Sequence, residues 1–178
     1  MKIYSTRHGQ TDYNLKDLIQ GITDNELNQT GILQAYELAE KVSEKSDIDI
    51  IISSPMKRAY RTASIISEKN NLDIITDERL REWDYGRYEG MERTAEGFAE
   101  NKSQFGVRMG GNGESVLQLA HRVYSALDDI IKNYSDKNVL IVCHGGVCRI
   151  IETYFHDLTT QSYNNWFMGN CQLIEYNV

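Results

Sequence analysis

Two histidines followed by glycine are the residues of this chain best suited to chemistry. His8 lies between Arg7 and a glycine, and His144 precedes two consecutive glycines. A neutral imidazole is a good nucleophile near neutral pH because its reference pKa is about 6.5. A neighbouring glycine lets a reacting group approach the backbone closely. One such histidine alone is more often structural than catalytic, but two in the same surroundings indicate a reactive site.

Arginine side chains narrow the chemistry to phosphoryl transfer. Arg7 is adjacent to His8, and Arg58 lies one turn into a predicted helix, where its side chain would point back toward the strand ends. A guanidinium group is permanently charged and matches phosphate oxygens with a planar set of donors. Phosphoryl transfer needs little beyond positioning and charge stabilisation. The pattern therefore predicts a metal-free phosphate pocket around His8, although Arg58 taken alone is also consistent with a surface ion pair.

A carboxylic acid is also required, because the leaving oxygen must be protonated. The glycine-punctuated, aromatic segment 82–90 offers two candidates, Glu82 and Glu89. Glu82 directly follows a strand-like segment. The chosen residue would donate a proton to the leaving group and then accept one from water.

Other catalytic motifs are missing from the sequence. No H-E-x-x-H or repeated C-x-x-C pattern indicates a zinc site. The glycines of 110–113 match neither a P-loop nor a dinucleotide fingerprint, and Ser53 and Ser54 lack the context of a nucleophile elbow. His121 and His156 are predicted to be structural.

Strand and helix patterns alternate along the chain and predict an α/β fold. The predicted strands are 2–6, 48–53, 73–76, 139–143 and 173–176. The predicted helices begin with an N-cap at Thr30, after Pro55, near 116 and after Gly145-Gly146. This alternation indicates a largely parallel sheet. Ligands bind at the carboxyl ends of such strands, so His8 and His144 are expected to share one pocket.

Composition limits the kinds of partner and the compartment. With no repeat and no linker, the 178 residues are expected to form one domain, 1–178. A net charge of −7 argues against binding to nucleic acid or to an anionic membrane. The sequence shows no signal core and no apolar run of membrane-spanning length. Cys143, Cys148 and Cys171 form no C-x-x-C pair, which predicts free thiols in the cytoplasm.

Residues 7–14, Arg-His-Gly-Gln-Thr-Asp-Tyr-Asn, resemble the signature of the histidine phosphatase superfamily, in its phosphoglycerate mutase-like branch. The resemblance continues in the family's order along the chain. The further matching blocks are 20–35, 53–63, 80–90, 113–115 and 144–146. They cover the chain from end to end.

The resemblance implies a three-layer α/β/α sandwich that works without metal or organic cofactor. It implies that His8 becomes phosphorylated and that Glu82 is the proton donor. The phosphate pocket would consist of Arg7, Arg58 and His144. The residues on the substrate side would be Asn14, Gln20, Gly21, Thr23 and Gly145. The expected partner is a small phosphorylated substrate.

Two departures from the phosphoglycerate mutases of this family favour hydrolysis. Phosphoglycerate mutases of this family share a longer insert at the position of 91–112 in this chain. In that insert, paired arginines hold a second anion. Here Arg93, Lys102 and Arg108 are scattered among glutamates. The chain also stops at Val178 with no lysine-bearing tail that would exclude water. A phosphohistidine that water can reach is hydrolysed, so we expect a phosphatase.

Two alternatives remain at this point. One is a cofactor-dependent phosphoglycerate mutase, and the other is a module that binds or dephosphorylates phosphoproteins. A pure binding module is disfavoured because every catalytic residue is present, although a fold alone does not guarantee activity. Substrate choice is expected to depend on a pocket wall built from Trp83, Tyr85, Arg87, Tyr88 and 91–112.

Overall fold

The computed structural model describes residues 1–45 and 47–178 and contains one five-stranded sheet in that part of the chain. The strands are β1 (Lys2–Arg7), β2 (Ile50–Ser53), β3 (Ile74–Thr76), β4 (Val139–Cys143) and β5 (Leu173–Asn177). Their spatial order is β3-β2-β4-β1-β5. β1 to β4 run parallel, whereas β5 pairs antiparallel with β1 at an edge. The expected α/β fold with a mostly parallel sheet is confirmed.

Helices cover both faces of this sheet. They are α1 (Asp12–Leu15), α2 (Gln29–Lys45), α3 (Lys57–Asn70), α4 (Phe98–Lys102), α5 (Val116–Asn133), α6 (Gly145–Phe155) and α7 (Thr160–Asn165). One buried cluster joins α2 and α3 to the sheet through Tyr4, Ile51 and Leu140. The other joins α5 and α6 to it through Ile3 and Ile141. Because successive strand residues point to opposite faces, each strand contributes to both cores, which gives the three-layer α/β/α sandwich.

Several boundaries differ from the sequence prediction. β2 begins at Ile50 rather than at 48, although Ile48 is buried in the core. α2 begins at Gln29, so Thr30 lies inside the helix and is not its N-cap. Asn28 has that role, since its Oδ1 accepts a hydrogen bond of 2.9 Å from the N–H of Gly31.

One short element near the site, α1, was missed, and α4 was indicated only by a weakly helical pattern across 91–112. α1 is a single turn that Thr11 caps, and a capping box with Asn14 holds it in place. α4 is one turn within the polar segment 91–112. One turn of helix carries too little hydrophobic periodicity to be recognised in sequence.

The carboxyl ends of β1 and β4 lie side by side and carry the two histidines. Arg7 pairs with Cys143 in the parallel register, and the N–H of His8 donates a hydrogen bond of 3.0 Å to the carbonyl of Cys143. β2 lies on the other side of β4, and the N–H of Ser54 donates to Val142 at 2.9 Å. Three strand ends therefore meet at one edge of the sheet. No helix in the described part of the chain is both long and apolar enough to cross a membrane.

Candidate active site

His8 is buried and contributes to the lining of a cleft at this sheet edge. Its Nδ1 donates a hydrogen bond of 2.7 Å to the carbonyl of Gly9, and its Nε2 accepts one of 3.2 Å from Nε of Arg58. These partners place the proton on Nδ1 and the lone pair on Nε2. Burial, and then the charges of Arg58 and Arg7, hold the pKa of His8 well below its usual value. The ring is therefore neutral at neutral pH, the form of imidazole that can act as a nucleophile.

His144 lies beside His8, with ring centroids 5.2 Å apart, and its side chain is fully buried. Its Nε2 shares a hydrogen bond of 2.8 Å with Oγ of Ser54. Its Nδ1 is buried and has no partner among the described residues. Burial, and then the charge of Arg58, lower the pKa of His144 well below its usual value. The two histidines are therefore neighbours, as expected, although only His8 of the two lines the cleft.

Arg58 is fully buried, which removes the alternative of a surface ion pair. Its two Nη atoms donate to the carbonyls of Gly21 at 2.7 Å and Thr23 at 2.9 Å. Gln20, with its amide oriented by its neighbours, accepts from Nε and Nη1 of Arg58 at 3.1 and 3.2 Å. The guanidinium thus keeps its charge in the interior through hydrogen bonds to neutral oxygens and remains available to an anion.

Arg7 enters the cleft from the end of β1. Its Nη1 donates a hydrogen bond of 3.1 Å to the carbonyl of Met168, and its Nε is buried without a partner in the described chain. Its guanidinium carbon lies 5.6 Å from the ring centre of Phe167. Arg7 Nε and the free Nδ1 of His144 are two buried nitrogens suited to phosphate oxygens.

The two candidate acids have different surroundings. Glu82 lines the cleft, and the N–H of Gly146 donates to its two oxygens at 3.1 and 3.2 Å. Glu89 instead accepts hydrogen bonds from the N–H groups of Ile22 and Thr23 and from the Thr23 hydroxyl, all within 2.9 Å. Glu89 therefore stabilises a loop, and Glu82 is the one of the two that lines the cleft with His8.

The residues predicted for the substrate side divide into two groups. Asn14, Gln20, Gly21 and Gly145 line the cleft together with His8. Thr23 does not line it, because its hydroxyl and N–H are bound to Glu89 while its carbonyl supports Arg58. Any contact of Thr23 with substrate stays a prediction.

Only part of the pocket wall that was predicted to set substrate choice lines the cleft. Tyr85, Arg93 and Lys102 line the cleft, whereas Trp83 and Tyr88 are core residues and Arg87 lies on the surface. Four residues near the site were not predicted from the sequence: Arg149, Phe167, Met168 and Asn170. Arg149 could have been found from the sequence. It is the one charged side chain in the first turns of α6, four residues after the cleft residue Gly145.

The remaining candidates lie outside the cleft. His121 is exposed on α5, and His156 pairs with Glu152 at 2.8 Å. Cys143 and Cys148 are buried free thiols whose Sγ atoms are 3.4 Å apart. Among residues 1–45 and 47–178, no three His, Cys, Asp or Glu side chains are grouped closely enough to hold a metal ion.

The fold and the arginine-rich, two-histidine site are those of a phosphoryl-transfer enzyme, and comparison with known proteins identifies the family. The model of the histidine phosphatase superfamily (branch 1) matches residues 3–178, so the chain belongs to that superfamily.

Individual relatives share most of this chain. It is 34% identical to a putative phosphoserine phosphatase 2 of Hydrogenobacter thermophilus, over 98% of this chain and 88% of that protein. It is 34% identical to a metal-independent phosphoserine phosphatase of Arabidopsis thaliana, over 84% of this chain and 66% of that protein. A solved structure of a mycobacterial glucosyl-3-phosphoglycerate phosphatase with VO₃ matches this chain with a TM-score of 0.87 and 29% identity. The match covers 98% of this chain and 91% of that one.

Proposed function

We propose that this protein is a metal-independent phosphomonoesterase that hydrolyses a small phosphorylated metabolite through a phosphohistidine on His8. Membership of the superfamily and the phosphatase names of its relatives support the activity class. The single observation that carries the assignment of the nucleophile is the state of His8. It is a neutral imidazole with its lone pair on Nε2, in a cleft with two buried arginines and one carboxyl group.

In the first step, Nε2 of His8 attacks phosphorus and the bond from phosphorus to the ester oxygen breaks. Glu82 donates a proton to that oxygen, so the alcohol leaves as a neutral molecule. Arg7, Arg58 and His144 stabilise the charge on the three remaining phosphate oxygens. Phosphate binding draws the Arg58 guanidinium toward those oxygens and frees the Nε2 lone pair for attack.

In the second step, water attacks the phosphohistidine while the Glu82 carboxylate accepts the proton of that water. The phosphorus–nitrogen bond breaks and its electron pair returns to Nε2 of His8. Inorganic phosphate leaves, and both residues regain their starting protonation states. Glu82 is held in place for both proton transfers by the N–H groups of Trp83 and Gly146.

We also propose a cytoplasmic location. Cys143, Cys148 and Cys171 are all free and buried. Reduced thiols of this kind are typical of a reducing compartment.

The test is hydrolysis of 4-nitrophenyl phosphate in the presence of a metal chelator. We expect activity in the wild type, loss of it in His8→Ala, and unchanged activity in His121→Ala, a control on the exposed face of α5. An acid-labile phosphoryl group on the His8 peptide should be detected by mass spectrometry after rapid mixing. Turnover by His8→Ala at the wild-type rate would exclude the mechanism. Faster interconversion of phosphoglycerates with a bisphosphorylated primer than hydrolysis would identify a mutase instead.

A further inference from the structure

The segment that carries Glu82 has no regular secondary structure of its own. Residues 82–85 lie in neither a helix nor a strand, and they connect two short 3₁₀ turns, Glu78–Leu80 and Gly86–Tyr88. The backbone carbonyls of such a segment must find hydrogen-bond partners elsewhere when they are buried. The groups that hold this segment therefore determine where the proposed proton donor lies.

One side chain from α5 supplies such partners. Nη1 of Arg122 donates hydrogen bonds of 2.6 and 2.7 Å to the carbonyls of Arg79 and Arg81. Its Nη2 donates one of 3.0 Å to the carbonyl of Glu82 itself. A guanidinium group serves several acceptors at once in a fixed planar geometry, whereas an ammonium group is a point charge on a flexible stem. Arg122 therefore fastens the backbone at the proton donor and just before it.

Arg122 is in turn oriented by Glu114. Nε and Nη2 of Arg122 lie 2.7 and 2.9 Å from the two carboxylate oxygens of Glu114. The two side chains are only 20% and 18% exposed, so this ion pair is better fixed than one at the open surface. The backbone of Glu114 holds the same segment, since its N–H donates to the carbonyl of Asp84 at 2.9 Å and its carbonyl accepts from Nε1 of Trp83 at 2.7 Å.

This ion pair lies on the side of the segment that faces away from His8. Glu82 lines the cleft together with His8, whereas Arg122 and Glu114 line a second cleft that Glu82 also borders. Glu114 neutralises the charge of Arg122 at short range. An influence of Arg122 on the reaction is therefore expected to act through the position of Glu82 rather than through its own charge.

We propose that Arg122, oriented by Glu114, is a positioning residue that holds the carboxyl group of Glu82 at the leaving oxygen. The inference rests on the proposed function and adds to it a residue outside the phosphate pocket. An acid must lie about 2.6–3.2 Å from the oxygen that it protonates. A displacement of about 1 Å can lower a rate about 10²-fold, even when its cause is far from the chemistry. The hydrogen bonds of Arg122 oppose such a displacement.

The test compares two phosphate esters that differ in their need for a proton donor. 4-Nitrophenolate leaves with little protonation, whereas the alkoxide of glycerol 3-phosphate requires it. Arg122→Lys keeps a positive charge beside Glu114 but loses the planar donors that serve the carbonyls. We expect it to lower kcat/KM for glycerol 3-phosphate about 10- to 100-fold, and kcat/KM for 4-nitrophenyl phosphate less than about threefold. This constant includes no step after formation of the phosphohistidine.

A double variant distinguishes positioning from general destabilisation. In Glu82→Gln the proton donor is already absent, so the further change Arg122→Lys should cause little additional loss on glycerol 3-phosphate. A full additional loss in the double variant would mean that Arg122 acts independently of Glu82 and would overturn the inference.

The matched control is Arg79→Met. The Arg79 side chain also joins this part of the chain to α5, through hydrogen bonds to Ser125 and Asp129, but its other partner is Asp77 rather than the backbone of Glu82. We expect this variant to lower the thermal stability without changing the ratio of the two kcat/KM values.

Equal losses on both esters in Arg122→Lys, or no loss on either, would overturn the positioning role. If thermal unfolding shows that Arg122→Lys does not fold, Glu114→Gln takes its place and should shift the ratio in the same direction; an unchanged ratio would refute the inference. Failure of the wild type to hydrolyse 4-nitrophenyl phosphate through His8 would refute the proposed function. A dependence on the leaving group in Glu82→Gln but not in Arg122→Lys would refute the role of Arg122 alone.

Discussion

Arg58 donates a hydrogen bond of 3.2 Å from its Nε to Nε2 of His8, a residue 50 positions earlier in the chain. The bond joins a proposed phosphate ligand directly to the proposed nucleophile. Because Nε of arginine can only donate, it selects the tautomer in which Nε2 of His8 carries the lone pair. In the proposed mechanism, Arg58 would therefore prepare the nucleophile and also supply charge for the group under attack.

Replacing Arg58 by lysine should remove most activity even though the positive charge remains. An ammonium group cannot donate at once to His8, to the carbonyl of Gly21 and to the carbonyl of Thr23, as the guanidinium does. We expect kcat/KM for 4-nitrophenyl phosphate to fall about 10²- to 10³-fold. Arg61→Lys, on the exposed side of the same helix, is the control and should behave like the wild type. Full activity in Arg58→Lys would contradict the double role.

Replacing Glu82 by glutamine should have an effect that depends on the leaving group. The amide keeps the shape of the side chain but cannot donate a proton as an acid. We expect kcat for an alkyl phosphate ester to fall about 10²- to 10⁴-fold, and kcat for 4-nitrophenyl phosphate, whose leaving group needs little protonation, to fall much less. Glu92→Gln, in an exposed position nearby, serves as control. Equal losses on both esters would argue against a proton donor.

Stability should decrease as the pH falls below about 6.5. His8 and His144 both have a pKa held well below that value in the folded state, chiefly by burial. Below pH 6.5 the unfolded chain binds protons that the folded histidines do not accept, so the stabilisation present at higher pH is lost. Each histidine contributes a slope of up to about 1.4 kcal/mol per pH unit.

Urea unfolding between about pH 7 and pH 5 would measure this slope. His144→Gln should show a smaller decrease than the wild type, since one of the two buried histidines is gone. The same pH dependence in both proteins would mean that His144 is protonated in the folded state.

The N-cap of α2 is a purely structural prediction. Asn28→Ala should lower the free energy of unfolding by about 1 kcal/mol, because the N–H of Gly31 loses its acceptor. Thr30→Ala, within the exposed first turn, should have little effect. Urea unfolding of the two variants would show which residue is the N-cap. A larger loss of unfolding free energy in Thr30→Ala than in Asn28→Ala would identify Thr30 as the cap.

Much of the fold was predictable because the signals are local. The β-branched and apolar run of Val139–Cys143 and the three-and-four spacing along Val116–Asn133 each identify an element without reference to the rest of the chain. Of the one-turn elements, α1 was missed and α4 was indicated only weakly, because tertiary contacts and single caps hold them rather than a repeating pattern.

The sequence alone determined which residue types could do the chemistry. Histidines at two strand ends, each followed by glycine, are adjacent because parallel strands place their carboxyl ends at one edge. The family resemblance already favoured Glu82 over Glu89, and the structure adds that Glu82 lines the cleft whereas Glu89 holds a loop. Only the tertiary structure placed Thr23 behind Arg58 and brought Lys102 and Arg149 into the cleft. The physical reason is that side-chain direction in loops and short helices depends on packing against distant segments. The spacing of residues along the chain does not predict that packing.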